Sequence, residues 1–211
     1  MIRAGARIVN ARGVPGTLAC VVRSLSDGAP MLLTAHHVLF GAGARALDAL
    51  FCNGGVERDG LIRIGVARYG RFGTVIHEGA STHIDCAVAA LDEWLAATIA
   101  PFSPDISAGR ANVGDRVTKV GAGTGLTSGI VVDDAFDDTM HTDGRTRIAP
   151  RQLLIRSLTP HTPFSGAGDS GAMILNASAH PVGLLTGLTA AGDAVACHIA
   201  PVLRVLHLAL G

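Results

Sequence analysis

Three short segments of the chain contain residue types that together could carry out nucleophilic catalysis. His37 follows Leu33-Thr34-Ala35-His36, Asp85 opens a run of apolar residues, and Ser170 lies in Gly168-Asp169-Ser170-Gly171. A neutral imidazole can take a proton from a hydroxyl group and later return it to a leaving amine. A carboxylate can hold that imidazole in the required tautomer. Each segment alone also fits an ordinary surface histidine or turn, so the hypothesis depends on their combination.

The glycine-rich segment around Ser170 is the most specific of the three. Its glycines leave the backbone free to adopt conformations that place two N–H groups at one point. The N–H groups of Gly168 and Ser170 could then form an oxyanion hole, which stabilises the tetrahedral intermediate of acyl transfer. Gly171 would permit the close approach of a substrate. The sequence therefore predicts a nucleophile and its oxyanion hole within one turn.

The order of the three candidates along the chain distinguishes between known serine hydrolase arrangements. Histidine comes first, aspartate second and serine last. This is the order of chymotrypsin, and it differs from the orders in subtilisin and in α/β-hydrolases. The long intervals between the candidates place His37 and Asp85 in the first half of the chain and Ser170 in the second.

The composition favours short buried strands joined by tight turns. The 211 residues are 48% hydrophobic and only 16% charged, and they include 27 glycines. Formal net charge is zero, so nothing in the overall charge attracts nucleic acid or an anionic membrane. No apolar run approaches the ~20 residues of a membrane span, and the first 30 residues contain no secretory core, which predicts a cytoplasmic protein.

The cysteines and histidines give no sign of a metal or cofactor. Cys20, Cys52, Cys86 and Cys197 lie far apart without CxxC spacing, so buried reduced thiols are expected. The aspartate-rich stretch 133–144 lacks the alternation of a calcium loop and is interpreted as a solvated hairpin loop. We expect no cofactor and no metal.

Strand-like segments occur in both halves of the chain. A hairpin of Gly16–Arg23 and Met31–Thr34 leads to His37, and further strands are predicted at 61–66, 73–77 and 86–91. Prolines near residues 101–104 indicate a connection, which divides the chain into 1–105 and 106–211. Residues 201–210 have apolar residues at helical spacing and predict a terminal helix. The second half has six predicted strands, at 116–120, 128–132, 152–157, 172–175, 182–186 and 194–199.

These motifs resemble those of the trypsin-like serine peptidase superfamily. Thr34-Ala35-His36-His37 matches its Thr-Ala-Ala-His element, Gly168-Asp169-Ser170-Gly171 matches Gly-Asp-Ser-Gly, and Asp85 stands where the family has its aspartate. The stretches 114–121 and 124–131 are similar to those of compact bacterial members. The resemblance implies an all-β fold of two six-stranded antiparallel β-barrels with a short C-terminal helix. It also implies a serine endopeptidase, with protein or peptide substrates and His37, Asp85 and Ser170 as its catalytic triad.

The chain departs from the family pattern at three places. His36 occupies a position usually held by a small residue, and we expect it to point away from His37 because neighbouring side chains alternate in extended chain. Ala172 replaces the family's second glycine. Arg7-Ile8-Val9-Asn10 faintly resembles an activation site whose new N-terminus would pair with Asp169, but processing is not expected because short motifs often match by chance.

The resemblance also suggests where the primary specificity pocket lies. The corresponding residues are Phe164, Thr186 to Leu188 and about Ala196 to His198. Phe164 without a nearby acidic residue favours a small or apolar side chain before the scissile bond. His198 could accept glutamate or glutamine, although a packed histidine is the more frequent role.

Three other interpretations remain open from the sequence. An α/β-hydrolase would use Ser170 with Asp193 and His198 or His207, but Ala172 interrupts the required G-x-S-x-G elbow. A metal enzyme would use His36, His37, His77 or His83, none of which has paired-ligand spacing. A third possibility is a catalytically idle domain that binds proteins, since fold does not imply function. The oligomeric state is not predicted.

Overall fold

The computed structural model describes residues 3–53, 60–96, 106–142 and 145–210, which form two antiparallel β units. The predicted boundary at residue 105 lies outside the described residues. Three short helices accompany the sheets: α1 (His36–Leu39), α2 (Glu93–Ala96) and α3 (Ile199–Val205). The strands are β1 (Arg7–Asn10), β2 (Pro15–Thr17), β3 (Cys20–Ser24), β4 (Pro30–Thr34), β5 (Ala49–Asn53), β6 (Leu61–His77), β7 (Ala80–Leu91), β8 (Arg116–Gly121), β9 (Gly125–Thr142), β10 (Arg145–Ser157), β11 (Met173–Asn176), β12 (Pro181–Leu188), β13 (Ala194–His198) and β14 (Leu208–Leu210).

The N-terminal unit is a sheet of eight strands in the order β14-β3-β4-β7-β6-β5-β1-β2. The predicted count of six is therefore wrong for this unit. The chain makes three short strands, β1, β2 and β3, before the β4 hairpin return, and β14 from the far C-terminus pairs with β3. The predicted all-β architecture of two units is confirmed.

The C-terminal unit is a closed barrel of six strands in the order β10-β13-β12-β11-β8-β9. Its strand number agrees with the sequence prediction. Residues 133–142 of the stretch interpreted as a loop are instead part of strand β9, which pairs with β10. Extended backbone there keeps alternate carboxylates on opposite faces of the strand.

Three clusters of buried apolar residues hold the units together. One fills the N-terminal unit around Ile8, Leu32 and Ile64. Another fills the C-terminal barrel around Val117 and Ile155. The largest joins the two units, because residues of β3, β4 and β7 pack against residues of β11, β12, β13 and α3. Burial of this shared apolar surface fixes the relative position of the units, and thus of the candidate catalytic residues.

The C-terminal helix is shorter than the sequence predicts. Helix α3 ends at Val205, His207 adopts a positive φ of 53°, and Leu208–Leu210 form strand β14. Leu208 is buried because it pairs with Ser24 of β3. The apolar pattern that predicted a helix is thus divided between a helix and a strand. None of the described helices is long and apolar enough to cross a membrane.

All four cysteines are free and buried, as expected from their spacing. Burial raises the pKa of the Cys197 thiol to about 12. These thiols therefore remain protonated at neutral pH and serve as small apolar residues of the core.

Candidate active site

His37 and Asp85 are joined by two hydrogen bonds. The Asp85 Oδ2 atom lies 2.5 Å from His37 Nδ1, and Asp85 Oδ1 accepts the His37 backbone N–H at 3.1 Å. Strand β4 leads into the one-turn helix α1, whose first turn exposes that backbone N–H. Asp85 is buried, whereas 39% of the His37 side-chain surface remains exposed. The imidazole is therefore held from one side by a buried carboxylate and faces a cleft with the other.

The Asp85 carboxylate also changes the proton affinity of His37. Burial by itself lowers the pKa of His37, but the hydrogen bond that His37 donates to Asp85 and the negative charge of Asp85 outweigh burial, and the pKa is raised above its ordinary value. With Nδ1 engaged by Asp85, Nε2 is the ring nitrogen available to another group. A histidine in this state can accept a proton at Nε2 and hold it as a stabilised imidazolium.

His36 packs against two aromatic rings, and the alternation of side chains expected for extended chain does not apply to it. The backbone at 36–39 is helical rather than extended, so successive side chains are separated by about 100° around a helix axis. The His36 ring packs 5.0 Å from Phe40 and 5.9 Å from Phe72, measured between ring centroids. Burial lowers the pKa of His36. It is a packed, neutral aromatic residue.

Ser170 lies in a tight turn between β10 and β11. The turn is closed by backbone hydrogen bonds from Asp169 N–H to Gly166 and from Ala172 N–H to Asp169. Gly168 and Gly171 have φ values of +91° and +89°, a region that favours glycine. A Cβ atom on Gly171 would collide with Thr34 and approach the backbone of Ala35. The turn is thereby packed against the residues that immediately precede His37.

The backbone N–H groups of Gly168 and Ser170 have no hydrogen-bond partner among the described residues. They are thus free to donate to a substrate oxygen, as an oxyanion hole requires. Within the part of the chain that the structure describes, no hydrogen bond joins the Ser170 hydroxyl to the His37 ring. Such contacts are often long in enzymes without substrate and shorten when substrate binds.

Asp169, between the two oxyanion donors, forms a fully buried ion pair with Lys119 of β8. Lys119 Nζ lies 2.9 Å from Asp169 Oδ2, and both side chains are completely inaccessible to solvent. The Asp169 carboxylate also accepts hydrogen bonds from Gly123 N–H, Thr124 N–H, Thr124 Oγ1 and Gly166 N–H. Burial opposes ionisation, but these hydrogen bonds and the lysine lower the pKa of Asp169. Asp169 is therefore paired with an internal positive charge, that of Lys119.

Thr17 connects the N-terminal unit to the same turn. Its hydroxyl donates to the Gly168 carbonyl at 2.7 Å and accepts Ala122 N–H at 3.0 Å. Its backbone N–H donates to the Ser170 carbonyl at 2.8 Å. With their carbonyls bound in this way, the Gly168 and Ser170 peptides are held in place from the opposite unit.

A cavity of about 300 Å³ lies beside His37, between the two units. Thr186 and Leu188, two of the predicted pocket residues, line it together with Asp85. Phe164 does not. Phe164 is 1% exposed and belongs to the core of the C-terminal barrel. The centroid of its ring lies 5.8 Å from Lys119 Nζ.

His198 lines a second cavity of about 160 Å³, whose described lining does not include His37. Its Nε2 lies 3.0 Å from the Asp134 carbonyl, and burial lowers its pKa. Of the residues considered for an α/β-hydrolase, Asp193 pairs with Arg156, and His207 is exposed in the turn between α3 and β14. Across the described ranges, no group of three or more histidine, cysteine or acidic residues could hold a metal.

Lys119 and Thr17 are supporting residues that the sequence analysis missed. Lys119 alternates with Val117 and Gly121 along β8, and all three are inward-facing. A lysine on the apolar face of a strand needs a buried partner, which is a signal that sequence can provide. Thr17 has no such signal, because its partner Gly168 is 151 residues away.

Comparisons with known proteins place the fold among serine proteases. No protein-family model and no curated protein matches the chain. A solved structure described as a glutamic acid specific serine protease that uses a histidine triad in substrate binding has a TM-score of 0.69, with 20% identity over 100% of both chains. The Nocardiopsis protease NAPase has a TM-score of 0.65, with 16% identity over 99% of this chain and 98% of its own. The Cellulomonas bogoriensis chymotrypsin has a TM-score of 0.62, with 15% identity over 100% and 98%. At these identities the likeness establishes a chymotrypsin-like fold over the whole length.

Proposed function

We propose that the protein is a serine endopeptidase with His37, Asp85 and Ser170 as its catalytic triad. The observation that carries the proposal is the His37–Asp85 pair, which follows residues packed against the glycine turn of Ser170, where two backbone N–H groups have no partner among the described residues. The chymotrypsin-like fold supports it, since other proteins of this fold are serine proteases. Fold alone would not be sufficient, because one fold can serve several functions.

In the proposed reaction, His37 Nε2 removes the proton from the Ser170 hydroxyl as Ser170 Oγ attacks the scissile carbonyl carbon. The carbonyl oxygen becomes negative and accepts hydrogen bonds from Gly168 N–H and Ser170 N–H. Collapse of this intermediate breaks the C–N bond, and His37 returns the proton to the leaving amine. An acyl-enzyme remains on Ser170. Water, deprotonated by the same histidine, then releases the acid product and restores the hydroxyl.

Asp85 has a positioning role in this scheme. Because its carboxylate is buried and contacts both Nδ1 and the backbone N–H of His37, it keeps Nε2 directed into the cleft. Its negative charge stabilises the imidazolium formed in each half-reaction. The same interaction raises the pKa of His37, because it favours the protonated ring.

We further propose a small or apolar side chain immediately before the scissile bond. Thr186 and Leu188 form an uncharged part of the wall of the cavity beside His37, whose carboxylates belong to Asp85 and Asp138. One similar structure is described as glutamic acid specific with a histidine triad in substrate binding, whereas His198 of this chain lies at a separate cavity with its Nε2 next to a backbone carbonyl.

The proposal is tested by labelling with a fluorophosphonate probe and by cleavage of a peptide library. Ser170→Ala is expected to abolish labelling and to lower turnover by about 10⁴-fold or more, because the nucleophile is lost. His37→Ala is expected to abolish labelling, whereas His36→Ala, the matched control, should retain it. Undiminished peptide cleavage by Ser170→Ala would refute the proposal. Absence of labelling in the folded wild-type protein would instead favour the idle, protein-binding interpretation.

A further inference from the structure

The cavity beside His37 has an unbalanced set of charged groups. Its described lining contains the carboxylates of Asp85 and Asp138 and no lysine or arginine. We call it the acidic cavity. Asp85 is already engaged by His37, so Asp138 provides the carboxylate that remains for a ligand. The other lining residues include Phe72, His83, Met140 and Gln152.

His83 brings an unpaired polar atom to this cavity. The residue is 7% exposed, and its Nε2 atom is buried without a hydrogen-bond partner among the described residues. Its ring is held edge-on against Phe72 at 5.0 Å, and Gln152 Nε2 donates to its carbonyl oxygen at 2.9 Å. A buried ring nitrogen without a partner costs free energy of desolvation. A ligand in the cavity could supply the missing hydrogen bond.

Asp138 is half-buried on strand β9, and its carboxylate has no ion pair or hydrogen bond within the described ranges. Its neighbour Asp137 contacts Arg151 N–H at 3.1 Å. Consecutive side chains on a strand point to opposite faces, so Asp138 and Met140 share the face towards the cavity. The carboxylate is thus free to contact a ligand.

The chemistry of these groups selects a cationic ligand. A carboxylate accepts hydrogen bonds, and so does Nε2 of a neutral imidazole whose proton is on Nδ1. Burial lowers the pKa of His83, which favours the neutral ring. Phe72 and Met140 offer apolar surface for the methylene groups of a long side chain. An acidic side chain would face Asp138 without any lysine or arginine in the described lining. An ammonium or guanidinium group fits, because it has donors and no acceptor.

We propose that the acidic cavity binds a lysine or arginine side chain of the substrate close to the scissile bond, with Asp138 and His83 as its specificity-determining residues. The inference rests on the proposed peptidase function, because His37 lines the same cavity. It concerns a substrate residue other than the small or apolar one at the scissile bond.

Cleavage of matched peptides tests the role of Asp138. Peptides with lysine, leucine or glutamate at each position flanking the scissile bond would be compared by kcat/KM. Wild type should prefer lysine over leucine at one of these positions, and Asp138→Asn should reduce that preference by about 5- to 10-fold, the effect of losing one partly exposed charged contact. Asp134→Asn, which removes a half-buried carboxylate of the same strand at the other cavity, should leave it unchanged.

Reversing the charge gives an independent test. Asp138→Lys should convert the preference from lysine to glutamate at the same substrate position. His83→Leu should lower cleavage of the lysine peptide about 3- to 10-fold more than that of the leucine peptide, because a hydrogen-bond acceptor is lost. Equal preferences in wild type and Asp138→Lys would overturn the inference.

Binding to an inactive variant separates this inference from the proposed catalysis. In Ser170→Ala, fluorescent peptides with lysine should bind about 5- to 10-fold more tightly than those with glutamate, by anisotropy, and Asp138→Asn should remove the difference. If this preference is found but wild type cleaves no peptide, the proposed function fails and the cavity assignment stands. If wild type cleaves peptides but Ser170→Ala shows no preference for lysine, the cavity assignment fails alone.

Discussion

Replacing Lys119 by methionine tests whether the buried ion pair supports the turn that contains Ser170. Methionine keeps most of the volume of the lysine stem but removes the ammonium. In the wild type this ammonium contacts Thr124 Oγ1, the Gly125 carbonyl and Asp169 Oδ2, so that three acceptors match its three donors. The variant would leave Asp169 as an uncompensated charge in a completely buried position.

The expected loss is about 3 kcal/mol in the free energy of unfolding. Breaking a buried ion pair from one side costs about 3–5 kcal/mol. The lower end applies because Asp169 keeps four other donors, three backbone N–H groups and the Thr124 hydroxyl. Because Asp169 lies between Gly168 and Ser170, we also expect fluorophosphonate labelling of Ser170 to be at least about 10-fold slower.

Urea denaturation of four proteins at pH 7.5 measures this effect: wild type, Lys119→Met, Asp169→Asn and the double variant. The double variant removes both charges, so it should be more stable than the sum of the single losses predicts, by about 2 kcal/mol or more. Additive losses, or a loss in Lys119→Met below about 1 kcal/mol, would refute the argument that the pair stabilises this turn.

The pH dependence provides a further check on the same pair. The pKa of Asp169 is lowered in the folded protein, so its ionised form stabilises the fold above the ordinary carboxyl pKa. That contribution is lost as the pH falls through the lowered value. In Lys119→Met the carboxylate is less favoured, so the stability gap to wild type should narrow towards acid pH. A gap that widens on acidification would contradict the proposed ionisation state.

Three more outcomes are expected from the same geometry. Gly171→Ala should lower the free energy of unfolding by about 2–4 kcal/mol in thermal unfolding, because the added Cβ would collide with backbone atoms at a residue with positive φ. A loss below about 1 kcal/mol would contradict this packing. Thr17→Val should slow labelling of Ser170 and cost about 1–3 kcal/mol, because its two hydroxyl hydrogen bonds disappear, whereas Thr17→Ser should retain both. The kcat/KM of wild type should rise with pH as His37 loses its proton, with a midpoint above the ordinary histidine pKa. Asp85→Asn should move this rise to lower pH, and an unmoved rise would show that another group is titrating.

The sequence by itself determined the local chemistry of the candidate site. The turn Gly168-Asp169-Ser170-Gly171 is a short-range feature, since its positive φ values require glycine and its hydrogen bonds join residues within a few positions. Short apolar segments bounded by glycine or polar residues predicted most strands, because such a pattern is local, whereas the all-β fold was implied by the resemblance. The choice of His37 over His36 as the catalytic base came from likeness to a family motif. The expectation that the two side chains alternate as in extended chain was wrong, because residues 36–39 are helical.

Only the tertiary structure decided which distant residues meet. Lys119 reaches Asp169, Thr17 reaches Gly168, and Gln152 reaches His83 because particular strands pair in particular registers. A shift of one residue in any register would send these side chains to the opposite face, so residue types alone do not fix the partners. Tertiary structure also decided the place of Phe164, which was predicted to line the pocket but lies in the core of the C-terminal barrel. In the C-terminal tail, Leu208–Leu210 form a strand because they pair with β3, although their apolar spacing predicted a helix. Non-local pairing thus decided what surrounds the site.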